Sequence, residues 1–163
     1  MQIKLIINAN LLNLIKITII EAHTNNALNI TPDIIKTEYD TDTMKAIKIE
    51  RQYDGMVTNL KNVILGLYTA DCCPIFLYHP IENVIGACHA GWKGALNGII
   101  ENTITTMIQQ YEVNADNIEC MIGPCIDQKS YQVDKDFIKK FETEWKDVEE
   151  KCCMKIEENY CLI

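Results

Sequence analysis

Three strand-length apolar runs, Val63 to Tyr68, Pro74 to Tyr78 and Val84 to Cys88, follow one another with only turn residues between them, and a helical pattern comes soon after. Runs this short suit strands better than buried helices. His79-Pro80-Ile81-Glu82-Asn83 fits a hairpin connection between the second and third. From Ala95 onward, Leu96, Ile99, Ile100, Ile104, Met107, Ile108 and Tyr111 recur at three- and four-residue steps, which predicts one amphipathic helix. Ile118 to Ile122 reads as another strand, ending at Gly123-Pro124. Phe137, Phe141 and Trp145 then mark the core face of a second helix, with Asp134 as its N-cap. Strands and helices in this order argue for a mixed α/β domain.

The flanks say less. Ile3 to Ile7 and Leu14 to Ile20 read as Ile-rich strands bounded by Asn. Residues 25–52 are polar and poorly periodic, with turn signals at Thr31-Pro32 and Thr41-Asp42-Thr43, so loop with some strand is expected. Glu157 to Ile163 looks like the entry to a further strand. Its abrupt end gives the expectation of a shortened protein.

Composition removes several classes of function. The net charge is −8 and Arg51 is the sole arginine, so the basic stripe that a nucleic-acid surface needs is missing. Leu11 to Ile20 is too short to span a bilayer and lacks the flanks of a signal peptide, so no membrane association is expected. The eight cysteines include the vicinal pairs Cys72-Cys73 and Cys152-Cys153 but no CxxC spacing. That pattern fits neither a disulfide framework nor a zinc knuckle, and it implies a reducing compartment, the cytoplasm.

The chemistry concentrates around two positions. His89, in Ala87-Cys88-His89-Ala90-Gly91-Trp92-Lys93-Gly94, lies just past a strand and just before a helix. A side chain there faces a crevice where backbone N–H groups at a helix start can hold an anion. Gly91 and Gly94 would let a ligand approach the backbone, and Lys93 adds positive charge. Cys72, in Thr69-Ala70-Asp71-Cys72-Cys73-Pro74, reaches the same rim if Val63–Tyr68 and Val84–Cys88 are neighbours running the same way. His23 can complete the set. One thiolate and two imidazoles suit zinc, with the fourth position open for water. Ligands this far apart in sequence form a weak motif on their own.

The blander readings weigh against other residues. His79 beside Pro80 reads as a structural turn histidine. Cys73, Cys88, Cys120 and Cys125 read as core rather than chemistry. Asp71 is a candidate for orienting a metal ligand or a substrate group.

Asp54-Gly55-Met56-Val57-Thr58, Thr69-Ala70-Asp71-Cys72, His89-Ala90-Gly91-Trp92-Lys93-Gly94 and Ile122-Gly123-Pro124-Cys125-Ile126, followed by Tyr131-Gln132-Val133, together resemble one family. It is the laccase-domain family, also called multicopper polyphenol oxidoreductase and now regarded as purine nucleoside phosphorylases. The resemblance runs from about Tyr53 to Phe137. It implies an α+β fold with mixed β-sheets in a layered sandwich flanked by helices, as a single laccase-like domain over residues 1–163 that is incomplete at both ends. It implies one zinc ion held by Cys72, His89 and an upstream histidine that falls on His23, where Glu21 replaces the usual glutamine.

For activity the resemblance implies phosphorolysis of adenosine, inosine, guanosine and methylthioadenosine, with deamination of adenosine. Cys72, His89 and Asp71 are then the catalytic candidates, and Gly91, Lys93 and Gly94 the candidates for binding the substrate anion. Small-molecule purine nucleoside and phosphate are the expected partners. The family's Arg-bearing first strand and its Ser-Tyr-Arg-like last strand have no counterpart in this sequence, which puts phosphate binding in doubt. Two other readings stay open. One is a copper-dependent polyphenol oxidase, for which three histidines are few. The other is a metal-binding remnant without activity.

Overall fold

The hairpin anticipated at His79–Asn83 is present, with Cys73–His79 and Val84–Ala90 paired antiparallel. The computed structural model describes residues 15–19, 26–31, 47–49, 53–142, 153–156 and 159–162. The expected strand Ile3–Ile7, His23 and Trp145 lie outside these residues. The chain divides into two compact units, Met1–Pro124 and Cys125–Ile163.

The first unit contains β1 (Ile15–Ile19), β2 (Ala27–Asn29), β3 (Ile47–Ile49), β4 (Gly55–Thr58), β5 (Val63–Leu67), β6 (Cys73–His79), β7 (Val84–Ala90), α1 (Trp92–Leu96), α2 (Ile99–Tyr111) and β8 (Glu119–Ile122). Five strands form a mixed sheet in the order β2-β4-β7-β6-β8. Only β2 and β4 pair parallel in it; β4–β7, β7–β6 and β6–β8 are antiparallel. A separate parallel sheet has the order β3-β1-β5.

The apolar runs are nearly continuous because the five-stranded sheet is covered on both faces. Val57, Ile75, Leu77, Val84 and Cys88 pack with Ile99 and Met107 of α2. Met56 and Ala87, with Phe76 and Ile85 beside them, pack with Val63, Leu65 and Leu67 of β5. Helix, sheet and second sheet therefore stack around two apolar layers, an α+β sandwich. Met56, Val57, Ile99 and Met107 are fully buried. Each contributes roughly 1.5–3 kcal/mol relative to an exposed side chain.

Two expectations need correction here. Val63–Leu67 is not a sheet neighbour of Val84–Ala90; it belongs to the other sheet. The predicted single helix from Ala95 is two helices, α1 and α2, separated by Asn97 and Gly98. Gly98 has φ +79°, a left-handed conformation open to glycine at little cost. The apolar spacing continues across this break, so periodicity alone reads through it.

In the second unit, β9 (Gln132–Val133), α3 (Lys135–Glu142), β10 (Cys153–Ile156) and β11 (Asn159–Leu162) include an antiparallel sheet ordered β10-β11-β9. Asp134 caps α3 as expected, its Oδ1 accepting from the Phe137 N–H at 2.7 Å. Ile138 is the buried residue of the first turn, while Phe137 is half-buried and meets Tyr131 edge-to-face at 6.1 Å. No described helix is long and apolar enough to cross a membrane.

Candidate metal-binding site

Strand register builds the site. Pro74 faces His89 across β6–β7, so Cys72, two residues before Pro74, lies at the same end of the sheet as His89. Gly55 faces Cys88 across β4–β7, which sets Asp54 beside His89 from the other side. Alternation along β7 directs Val84 and Cys88 toward α2, and so His89 with Ile85 and Ala87 toward the opposite face.

Asp54 and His89 are tied twice. The His89 N–H donates to the Asp54 carbonyl oxygen at 2.7 Å, and Nδ1 lies 3.3 Å from Asp54 Oδ1. Both side chains are buried, at 1% and 2% exposure. With Nδ1 directed at the carboxylate, Nε2 is the ring nitrogen on the Cys72 side, bordering with Cys72 Sγ the space over Gly91. Burial alone would lower the His89 pKa, but the hydrogen bonds and charges of Asp54 and Cys72 outweigh it and raise the value to about 9.

Gly91 shapes the gap between the two donors. A Cβ placed on it would meet Cys72 Sγ at 3.2 Å and His89 Cε1 at 3.3 Å, with Nε2 at 3.7 Å. A thiol and an imidazole nitrogen bordering one small space is a donor arrangement that suits zinc, and a soft sulfur donor also suits copper. The residues present fit such an ion. Among the described residues no third His, Cys, Asp or Glu joins them.

The other candidates are distributed as follows. Asp71 is exposed in the loop before β6. The carboxylate that touches a candidate ligand is Asp54, to which the sequence reading gave no role; its signal was its place in the Asp54–Thr58 motif. Gly91 is the extended N-cap of α1, a helix of only five residues, and Gly94 is buried. Lys93 is exposed, with Nζ 5.3 Å from the centroid of the neighbouring Trp92 ring. His79 is buried in the hairpin, where Nδ1 accepts from the Glu82 N–H at 3.2 Å, the structural role expected of it.

The cysteines divide more sharply than expected. Cys88 is core, and burial pushes its thiol up to about 12. Cys73 is half-buried, whereas Cys120 and Cys125 are exposed rather than core. Cys120 lies on β8, an edge strand whose side chains are all exposed. An apolar run is no guarantee of burial at a sheet edge.

Comparison with known proteins bears on the family and the fold. The profile of the family described as multi-copper polyphenol oxidoreductase laccase matches residues 8–162. A purine nucleoside phosphorylase of Rickettsia conorii is 44% identical over 88 residues, 54% of this chain and 35% of that protein. One from Clostridium acetobutylicum is 36% identical over 110 residues, 68% of this chain and 44% of that protein. The crystal structure of Bacillus licheniformis hypothetical protein YfiH superposes with a TM-score of 0.72 at 30% identity, covering 90% of this chain and 54% of that one. The chain thus spans between a third and a half of the length of these curated relatives. It belongs to the multi-copper polyphenol oxidoreductase laccase family, whose curated members matched here carry the name purine nucleoside phosphorylase.

Proposed function

We propose that the chain holds one zinc ion through Cys72, His89 and His23 and acts on purine nucleosides as a phosphorylase, with adenosine deamination as a second reaction. The observation that carries this reading is the pairing of Cys72 Sγ and the His89 ring around the space left by Gly91. The names of the relatives supply the substrate class. His23 is supported by connectivity. It stands three residues before Asn26, whose carbonyl accepts from the Asp54 and Gly55 N–H groups at 3.0 and 3.1 Å. Three residues of chain span at most about 11 Å.

When bound, zinc would supply Lewis acidity to a substrate or water oxygen. The protein's own part is to orient and to move protons. Cys72 and His89 would hold the ion, and exposed Asp71 next to Cys72 is the proposed group for proton transfer. Gly91, Lys93 and Gly94 are the proposed phosphate contacts. In phosphorolysis a phosphate oxygen bonds to the sugar C1′ while the bond to the base breaks, giving ribose 1-phosphate and free base. In deamination water replaces the amino group, giving inosine and ammonia.

The family's description also names copper and polyphenols. Three histidines in the whole chain are too few for several copper centres, which ranks that reading second. The test is to incubate the zinc-loaded chain with adenosine, with and without phosphate. Adenine and ribose 1-phosphate that form only with phosphate, and inosine that forms without it, are expected. Neither product from folded, zinc-loaded protein contradicts the proposal, and copper-dependent oxygen uptake with a phenol would favour the oxidase.

A further inference from the structure

We infer that Asp54 is a positioning residue for His89: its buried carboxylate holds the imidazole by Nδ1 so that the opposite nitrogen stays turned toward Cys72. The inference rests on the metal-binding reading proposed above. A carboxylate removed from water costs free energy unless its partner compensates it. The sheet does not require one at this point. The tie between the end of β4 and β7 is already made by the backbone, through the His89 N–H to the Asp54 carbonyl at 2.7 Å and the ladder that follows. A small apolar residue would satisfy that pairing equally well. The carboxylate lies 3.3 Å from the imidazole, with 1% exposure on one side and 2% on the other.

The position of Asp54 is fixed from several directions. Its N–H and that of Gly55 both donate to the Asn26 carbonyl, at 3.0 and 3.1 Å. Thr103 of α2 presses on Gly55 so closely that a Cβ there would lie 2.6 Å from Thr103 Oγ1. The carboxylate therefore starts from an anchored backbone and has little freedom to follow the ring. That is the requirement for setting a ring's orientation in advance. Partners of this kind fix which nitrogen of a histidine faces a metal, and losing them costs roughly 10–100-fold in metal affinity. Asp71, exposed and on a loop, does not meet the requirement.

The experiment measures zinc affinity by competition with a chelator, and the absorption spectrum of the Co²⁺-loaded protein, for the full chain, Asp54→Asn and Asp54→Ala. Thermal melts of the metal-free forms are recorded in parallel. Asp54→Ala is expected to weaken zinc binding between ten- and a hundredfold and to alter the cobalt spectrum. Asp54→Asn, which keeps an acceptor oxygen for Nδ1, is expected to recover part of both. If Asp54→Ala does not fold, Asp54→Asn decides alone, with a loss above threefold expected. Variants that melt lower yet bind zinc within threefold of the parent, with its cobalt spectrum, would make Asp54 a structural residue and overturn the inference. A parent chain that retains no zinc fails differently: it removes the metal-binding reading itself, and Asp54's role with it.

Discussion

Pro74 and His89 face each other across an antiparallel strand pair, and that register carries Cys72 to His89 over a separation of seventeen residues. A four-residue turn, Pro80–Asn83, closes the hairpin, so the two candidate ligands are coupled by local structure. A site formed this way survives only if the space between its donors is kept open.

Gly91 keeps it open. Its backbone is extended, with φ −73° and ψ 163°, so alanine is conformationally acceptable there. The new methyl would enter the gap beside Cys72 Sγ and His89 Cε1. Gly91→Ala is expected to lower zinc affinity by about tenfold or more, the scale on which disturbed ligand geometry is felt, while the melting temperature of the metal-free protein changes little. Calorimetric zinc titration beside a thermal melt separates the two effects; unchanged affinity would mean that the gap is not the metal's.

Gly55→Ala tests packing on the helix-facing side of the sheet. Its Cβ would meet Thr103 Oγ1 at 2.6 Å and Ala27 Cβ at 3.0 Å. Overpacking of this kind costs about 1–3 kcal/mol. Because Thr103 Oγ1 also donates to the Ile99 carbonyl at 2.7 Å inside α2, it cannot simply swing aside. Adding Thr103→Ala should recover part of the loss, a coupling that a denaturant double-mutant cycle reads directly. Strict additivity would contradict the contact.

The sign of the His89 shift gives a pH dependence. Its pKa is raised from 6.5 to about 9 in the metal-free protein, so folding is favoured by the bound proton. That contribution is complete below pH 6.5 and is lost as pH rises through about 9. His89→Gln should flatten the stability profile in this window. Zinc must displace the same proton, so its affinity is expected to climb with pH up to about 9, with proton release detectable in weakly buffered solution. Affinity that is independent of pH between 6.5 and 9 would exclude His89 as a ligand.

Thiol reactivity offers a separate check. Cys120 and Cys125 are exposed, Cys72 is half-buried and Cys88 is buried with its thiol pushed up to about 12. Among the described cysteines, iodoacetamide should modify Cys120 and Cys125 first and spare Cys88 while the protein is folded. Zinc should slow modification of Cys72 and leave Cys120 and Cys125 unaffected. Peptide mass spectrometry resolves the sites, and a Cys72 rate indifferent to zinc would count against its role.

Local signals carried most of the fold. The hairpin at 79–83, the strand at Ile118–Ile122 and the Asp134 cap depend on residues close in sequence, and all three are present. The apolar spacing of 96–111 located the helical region but passed over the break at Gly98, because a left-handed glycine leaves the pattern of its neighbours unchanged. Strand partners were less legible. Apolar strands buried on two faces look alike, so the sequence leaves open whether Val63–Tyr68 lies beside Val84–Cys88; in the structure Val63–Leu67 belongs to a separate sheet. Cys72 and His89 do meet, but through the hairpin rather than through neighbouring parallel strands. Asp54 stands in the Asp54–Thr58 motif, but its role is not legible there because its partner lies thirty-five residues away. Only the register of a third strand, β4, connects the two.

The most direct measurement is the zinc K-edge absorption fine structure of the chain loaded with one equivalent of metal. One sulfur neighbour near ~2.3 Å and two imidazole nitrogens near ~2.0–2.1 Å are predicted, with the sulfur lost in Cys72→Ala and one imidazole lost in each of His89→Ala and His23→Ala. A zinc shell without sulfur, or one that is the same in all three variants, would contradict the account.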